Sequence, residues 1–135
     1  MKNHLDLNID LNAKINDGRT GFHLACWNGH TEIAEELVKN SIEFDLDLNA
    51  KDNFGMTAFH LACWWGKTRT VEMLLINSKQ FNIDVESTTK LGKNGLQLAL
   101  SEGKSGVVSV IKSFKDKFPC KACKILKNGN KIWLY

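Results

Sequence analysis

Proline is nearly missing: Pro119 is the only one in 135 residues, so helices over most of the chain escape the ring that breaks them. Long apolar runs are missing too, and none approaches the ~18 residues that a bilayer-spanning helix needs. The opening Met1-Lys2-Asn3-His4-Leu5-Asp6 has no apolar stretch of the secretory kind. This last absence points to a reducing, intracellular setting, the cytoplasm or the nucleus, in which the four cysteines stay as thiols. No Ser/His/Asp or Cys/His array, phosphate-cradling loop or isolated carboxylate pair stands out, so no enzyme is expected. The bulk composition, 43% hydrophobic and 24% charged, is that of an ordinary globular chain of one domain.

What the chain does have is a repeat. Gly55-Met56-Thr57-Ala58-Phe59-His60-Leu61-Ala62-Cys63-Trp64-Trp65-Gly66 has an earlier copy, Gly18-Arg19-Thr20-Gly21-Phe22-His23-Leu24-Ala25-Cys26-Trp27-Asn28-Gly29. A worn third copy runs from Gly92 to Gly103, and the spacing is 37 throughout. A fixed period of this size marks a repeat array and outranks local readings. Thus the alternation of Leu5, Leu7, Ile9 and Leu11, strand-like in isolation, is outweighed by Asp10-Leu11-Asn12-Ala13-Lys14 recurring as Asp47-Leu48-Asn49-Ala50-Lys51, the segment that leads out of one repeat into the next turn.

Within each unit, Gly18, Gly55 and Gly92 fall in polar turns that call for positive φ. Thr20, Thr57 and Asn94 are good helix N-caps. Short helices are expected over Gly21–Asn28, Ala58–Trp65 and Gly95–Glu102, each ended by Gly29, Gly66 or Gly103. Second helices start near Thr31, Thr68 and Ser105. Their apolar stripes are Ile33, Ala34, Leu37 and Val38, then Val71, Leu74 and Leu75, then Val107, Val108, Val110 and Ile111. Phe44, Phe81 and Phe118 return in the exits as packing residues.

These residues resemble the ankyrin repeat. The resemblance rests on Thr57-Ala58-Phe59-His60-Leu61-Ala62, on Gly29-His30-Thr31-Glu32-Ile33, and on Asp47-Leu48-Asn49-Ala50-Lys51-Asp52, and covers nearly the whole chain. It implies an all-α solenoid of helix-turn-helix units with protruding turn or hairpin loops. The departures are Gly21, Ala58 and Gly95 where the family has Pro, Phe22 and Phe59 where it has Leu, and a unit about four residues longer than the usual 33. The excess falls at Asn40–Asp45 and its copies, where a longer second helix or a longer exit loop would absorb it. The third unit, with Gln97 for His and Gly106 early in its second helix, is expected to be the weakest or a terminal variant. The organisation expected is one domain, 1–135: a partial repeat 1–14, repeats 15–51, 52–88 and 89–125, and a partial repeat 126–135 whose first helix would start at Ile132. Both ends cut through a repeat, which implies either a piece of a longer array or ends capped in another way, and self-association through such ends is an expectation.

Some residues invite a chemical reading. His23, Cys26, His60 and Cys63 make a Cys2His2 set on paper, but repeat equivalents lie one helix-packing distance apart, about 8–10 Å, too far for ligands that must converge on zinc at ~2.0–2.3 Å. Buried cysteines and histidines bonded to turn backbone are the expectation, with no metal and no cofactor. Cys120 and Cys123 form a lone CxxC without the second pair of a zinc site or the sheet of a redox motif. From Lys112 to Lys131 seven lysines (Lys112, Lys115, Lys117, Lys121, Lys124, Lys127, Lys131) face one acid, Asp116, in a chain whose net charge is only +3. Such a run suits nucleic acid or an acidic surface, yet no reading motif accompanies it.

The resemblance also implies a binding surface, because ankyrin proteins bind partners with turn tips and the exposed side of the short helices. Here the tip residues are Asn16, Asp17 and Arg19; Asn53, Phe54 and Met56; Lys90, Leu91 and Lys93. The short-helix residues are Trp27 and Asn28, Trp64 and Trp65, Ser101 and Glu102. The middle set is rich in the aromatics and Met that populate interface centres. The reading is a non-enzymatic interaction module of the scaffold, adaptor or inhibitor type, binding a protein through its concave face. The alternative is a binder of nucleic acid or another anionic partner through residues 112–131.

Overall fold

Three polar side chains spaced 37 residues apart open three helices. The computed structural model describes residues 12–117 and the backbone of 123–125 and 131–133. In it, the side-chain oxygens of Thr20, Thr57 and Asn94 accept from the backbone N–H of His23, His60 and Gln97 at 3.4, 3.3 and 2.9 Å. The reverse bond closes each box: Nδ1 of His23 and His60, and Oε1 of Gln97, accept from the cap's own N–H at 3.0, 2.9 and 2.9 Å. Two donors that a helix start leaves orphaned are thereby satisfied at each cap.

The helices among the described residues are α1 (Gly21–Trp27), α2 (Thr31–Lys39), α3 (Ala58–Trp64), α4 (Thr68–Asn77), α5 (Gly95–Ser101) and α6 (Ser105–Lys117). After each short helix a glycine reverses the chain. Gly29, Gly66 and Gly103 take φ of 74, 70 and 68°, a left-handed geometry without cost only where there is no Cβ.

Short helices stack on short helices, and long on long: α1, α3 and α5 form one layer, α2, α4 and α6 the other. The core lies between them. Phe22, Cys26, Phe59, Ala62 and Cys63 come from the short helices, and Ala34, Val38, Val71, Leu74, Leu75, Val107 and Ile111 from the long ones. One residue of the expected stripe departs. Ile33 is 56% exposed. Its repeat counterpart Thr70 is buried against the preceding unit, where its hydroxyl meets that of Thr31 at 2.8 Å. Ile33 stands at the same place on the first described unit, which has no earlier one beneath it among the described residues.

The extra residues of the period go into the exit loop. Beyond α2, Phe44 N–H donates to Asn40 O at 3.0 Å and Leu46 N–H to Ser41 O at 2.8 Å; beyond α4, Phe81 and Ile83 repeat the pattern on Asn77 and Ser78. Asp45 and Asn82 close these loops with φ of 52 and 56°, in the region that Asn and Asp enter more readily than other side chains. Neighbouring exits are then clipped together by one asparagine each. Asn12 donates to Asp45 O and accepts from Asp47 N–H, at 2.9 and 2.8 Å; Asn49 does the same with Asn82 and Asp84, at 2.9 and 2.7 Å. Phe44 and Phe81 are half-buried; Phe118 lies outside the described residues.

One stretch differs from the periodic expectation. Where a further short helix would begin at Ile132, Lys131–Trp133 is a strand, paired antiparallel with Cys123–Ile125 so that Lys124 faces Ile132.

Candidate functional site

The turn tips hang on two kinds of bond. Each tip closes on itself, Ile15 to Arg19, Asp52 to Met56 and Thr89 to Lys93, each at 2.9 Å, and each leans on its neighbour: Asn53 N–H donates to Asp17 O at 2.9 Å, and Lys90 N–H to Phe54 O at 3.3 Å. Gly55 is needed where the second and third tips meet, because a Cβ there would stand 2.8 Å from Lys90 N, closer than real atoms approach.

His23 and His60 tie the helix starts to the following tips. With Nδ1 accepting from the cap N–H, the ring proton sits on Nε2 and donates to Met56 O at 3.0 Å in one case and to Ser87 O at 2.9 Å in the other. Burial lowers the pKa of both rings below its ordinary value, since a charged ring there would be desolvated. Cys26 and Cys63 are buried free thiols, and desolvation alone raises their pKa. All four side chains of the paper Cys2His2 set are therefore occupied in structural roles.

Asp52 has a fully buried carboxylate. Its Oδ1 accepts from Phe54 N–H and Met56 N–H, both at 2.9 Å, and Oδ2 receives Arg19 Nε at 3.2 Å. Arg19 also reaches Asp17 at 3.4 Å, and its guanidinium lies 4.8 Å from the centre of the Trp27 ring, within range of cation–π attraction. Trp27 in turn meets Trp65, with ring centres 5.9 Å apart and planes tilted by 42°, an ordinary aromatic arrangement. A continuous chain of contacts, Asp52–Arg19–Trp27–Trp65, thus crosses from the tips to the ends of the short helices and joins the first unit to the second.

Around this chain the remaining expected residues take distinct positions. Phe54 is 61% exposed, Trp65 46% and Leu91 86%, while Met56, Trp27 and Trp64 are half-buried. Lys90, Lys93 and Glu102 are exposed. Asn16 and Asn53 are exposed but bonded tip to tip at 3.2 Å, and Asn28 and Ser101 fold back onto carbonyls of their own helices, each at 2.9 Å. Asp17 and Arg19 serve each other and Asp52 rather than standing free. Sequence reasoning missed Asp52, whose repeat counterparts are Ile15 and Thr89 and give no hint of a shared role. It also missed that Trp27 meets Trp65 and not its own counterpart Trp64, because counting by the period aligns equivalents, not neighbours.

Of the lysine run, Lys112 and Lys115 are exposed on α6, and Lys115 approaches Glu86 at 3.9 Å. The side chains from Lys117 to Lys131 lie outside the described residues, as does Cys120. No described helix is long and apolar enough to cross a membrane.

Two layers of helices in a stacked, tip-bearing repeat define a helical solenoid. The family model for ankyrin repeats (three copies) matches residues 1–87, and this chain belongs to the ankyrin repeat family. Members of that family are generally protein–protein interaction modules. The third unit, beyond the matched residues, repeats the same architecture with α5 and α6. No curated protein matches the chain.

Proposed function

We propose that this chain is a non-catalytic interaction module, of the scaffold, adaptor or inhibitor type, that binds a protein partner across its turn tips and the adjoining side of its short helices, the concave face of the family. The observation that carries this is the exposure of Phe54, Trp65 and Leu91 on tips that are hydrogen-bonded to themselves and to one another. Large apolar side chains grouped on one surface mark an interaction site, and aromatic ones carry much of the energy at interface centres. Partner contacts extend from there to Met56, Trp64, Lys90, Lys93, Ser101 and Glu102. An intracellular setting, cytoplasmic or nuclear, accords with the free thiols of Cys26 and Cys63.

The test is affinity capture from cell lysate with the wild-type chain and a Trp64→Ala, Trp65→Ala double variant, each at low and high salt. A partner kept at high salt and lost with the variant supports this face. A bound set that vanishes at high salt and ignores the tryptophans moves the binding to the 112–131 lysines and an anionic partner.

A further inference from the structure

The charges of the turn tips are one-sided, and on the adjoining short-helix side Glu102 is exposed. Across the three tips the ionisable side chains are Lys14, Arg19, Lys51, Lys90 and Lys93 against Asp17 and Asp52. Arg19 holds both carboxylates, at 3.4 and 3.2 Å. Among those tip side chains, four lysines have no acid beside them, and Lys14 spends its ammonium on a neutral carbonyl, that of Lys51, at 3.3 Å. The long-helix side of the first unit has the opposite character: Glu32, Glu36 and Glu43 are exposed there, and Lys39 is matched to Glu35 at 3.9 Å.

We infer that the partner presents an acidic segment carrying at least one bulky apolar side chain. This rests on the proposed interaction face and specifies its ligand. The carboxylates of the segment meet Lys90, Lys93 and Lys51, and the apolar side chain sits against Phe54, Trp65 and Leu91. Complementary charge fixes orientation and raises the association rate, while the apolar anchor supplies the affinity. Acidic polypeptide fits better than nucleic acid for two reasons on this surface. The only arginine of the tips, the side chain best shaped to fork a phosphate, is consumed by Asp17, Asp52 and the Trp27 ring. Trp27 and Trp65 lean on each other, whereas a single-strand binder offers open ring faces for bases to stack on.

The experiment is selection of 12-residue peptides from a random display library on the full chain, followed by titration of the winners. The titrations use wild type, a Lys90→Glu, Lys93→Glu variant and a Phe54→Ser, Trp65→Ala variant, each checked for an unchanged helical circular dichroism spectrum. Fluorescent oligo(dT) of 20 nucleotides is titrated alongside. We expect selected peptides in which Asp or Glu flanks a Trp, Phe or Leu, affinities that fall at least tenfold with either variant, and a salt dependence that the Lys→Glu variant removes. Neutral or basic peptides that lose binding with Phe54→Ser, Trp65→Ala but ignore Lys90→Glu, Lys93→Glu overturn the acidic ligand and leave the interaction face standing. Peptides indifferent to both variants, or no enrichment at all, overturn both. Oligo(dT) binding more tightly than any peptide, and lost on charge reversal, overturns the acidic polypeptide in favour of nucleic acid.

Discussion

His60 is held in one tautomer by its own bonds. Thr57 N–H points at Nδ1 and Ser87 O takes the Nε2 proton, so a second proton, on Nδ1, displaces the Thr57 N–H bond of the capping box. His23 is in the same position. Both rings have a pKa lowered in the folded chain by burial, against an ordinary value of 6.5. The unfolded chain therefore binds protons first, and stability is full above about pH 6.5 and is lost as pH falls from there through the folded-state values. Urea melts at pH 7.5 and pH 5 should show a lower midpoint at pH 5, and a His23→Gln, His60→Gln variant should flatten the change, because Gln97 already makes the same box without titrating. An equal pH response in the variant would place the titration elsewhere. Trp65→Ala belongs to this scale too. Partner binding should weaken by more than ~2 kcal/mol with the melting temperature near wild type, whereas a large drop in Tm would make Trp65 a core residue.

At the scale of the element, one repeat position separates two glycines. Gly21 and Gly95 both open short helices, yet a Cβ on Gly21 meets nothing within 4 Å, while one on Gly95 would stand 2.6 Å from Phe59 Cε2 and 2.9 Å from Cys63 Sγ. Gly21→Ala should stabilise by about 0.4–1 kcal/mol through the unfolded chain's entropy. Gly95→Ala should destabilise by about 1–3 kcal/mol through overpacking of α5 on α3. Chemical denaturation of the two variants side by side reads the sign directly, and a stabilised Gly95→Ala would refute the close stacking of these helices.

For the molecule as a whole, stability comes from units resting on units. Leu61 of the middle unit is 1% exposed, and its equivalent Leu24 in the first unit is half-buried, since only the former has a neighbour beneath it among the described residues. Leu61→Ala should cost about 2–5 kcal/mol as a core truncation, and Leu24→Ala clearly less. Equal shifts in the two unfolding midpoints would mean that something covers Leu24 as fully as the first unit covers Leu61.

The period of the chain, with its caps and glycines, determined the helices to within one residue at the short ones and, with them, the family. Local chemistry decides such features: an oxygen two residues after a turn glycine caps a helix whatever packs on it, and a glycine in the left-handed region ends one. Which side chains meet across units was settled only by the tertiary structure. The stacking offset sets Trp27 on Trp65, brings the Thr70 hydroxyl onto that of Thr31, and places Asp52 beneath Arg19. Such pairings depend on how far one unit is displaced on the next, a quantity that no spacing within a single chain contains. The strand at Lys131–Trp133 departs from the period for a related reason, because backbone pairing with Cys123–Ile125 is a contact between segments and is not encoded in a repeat register.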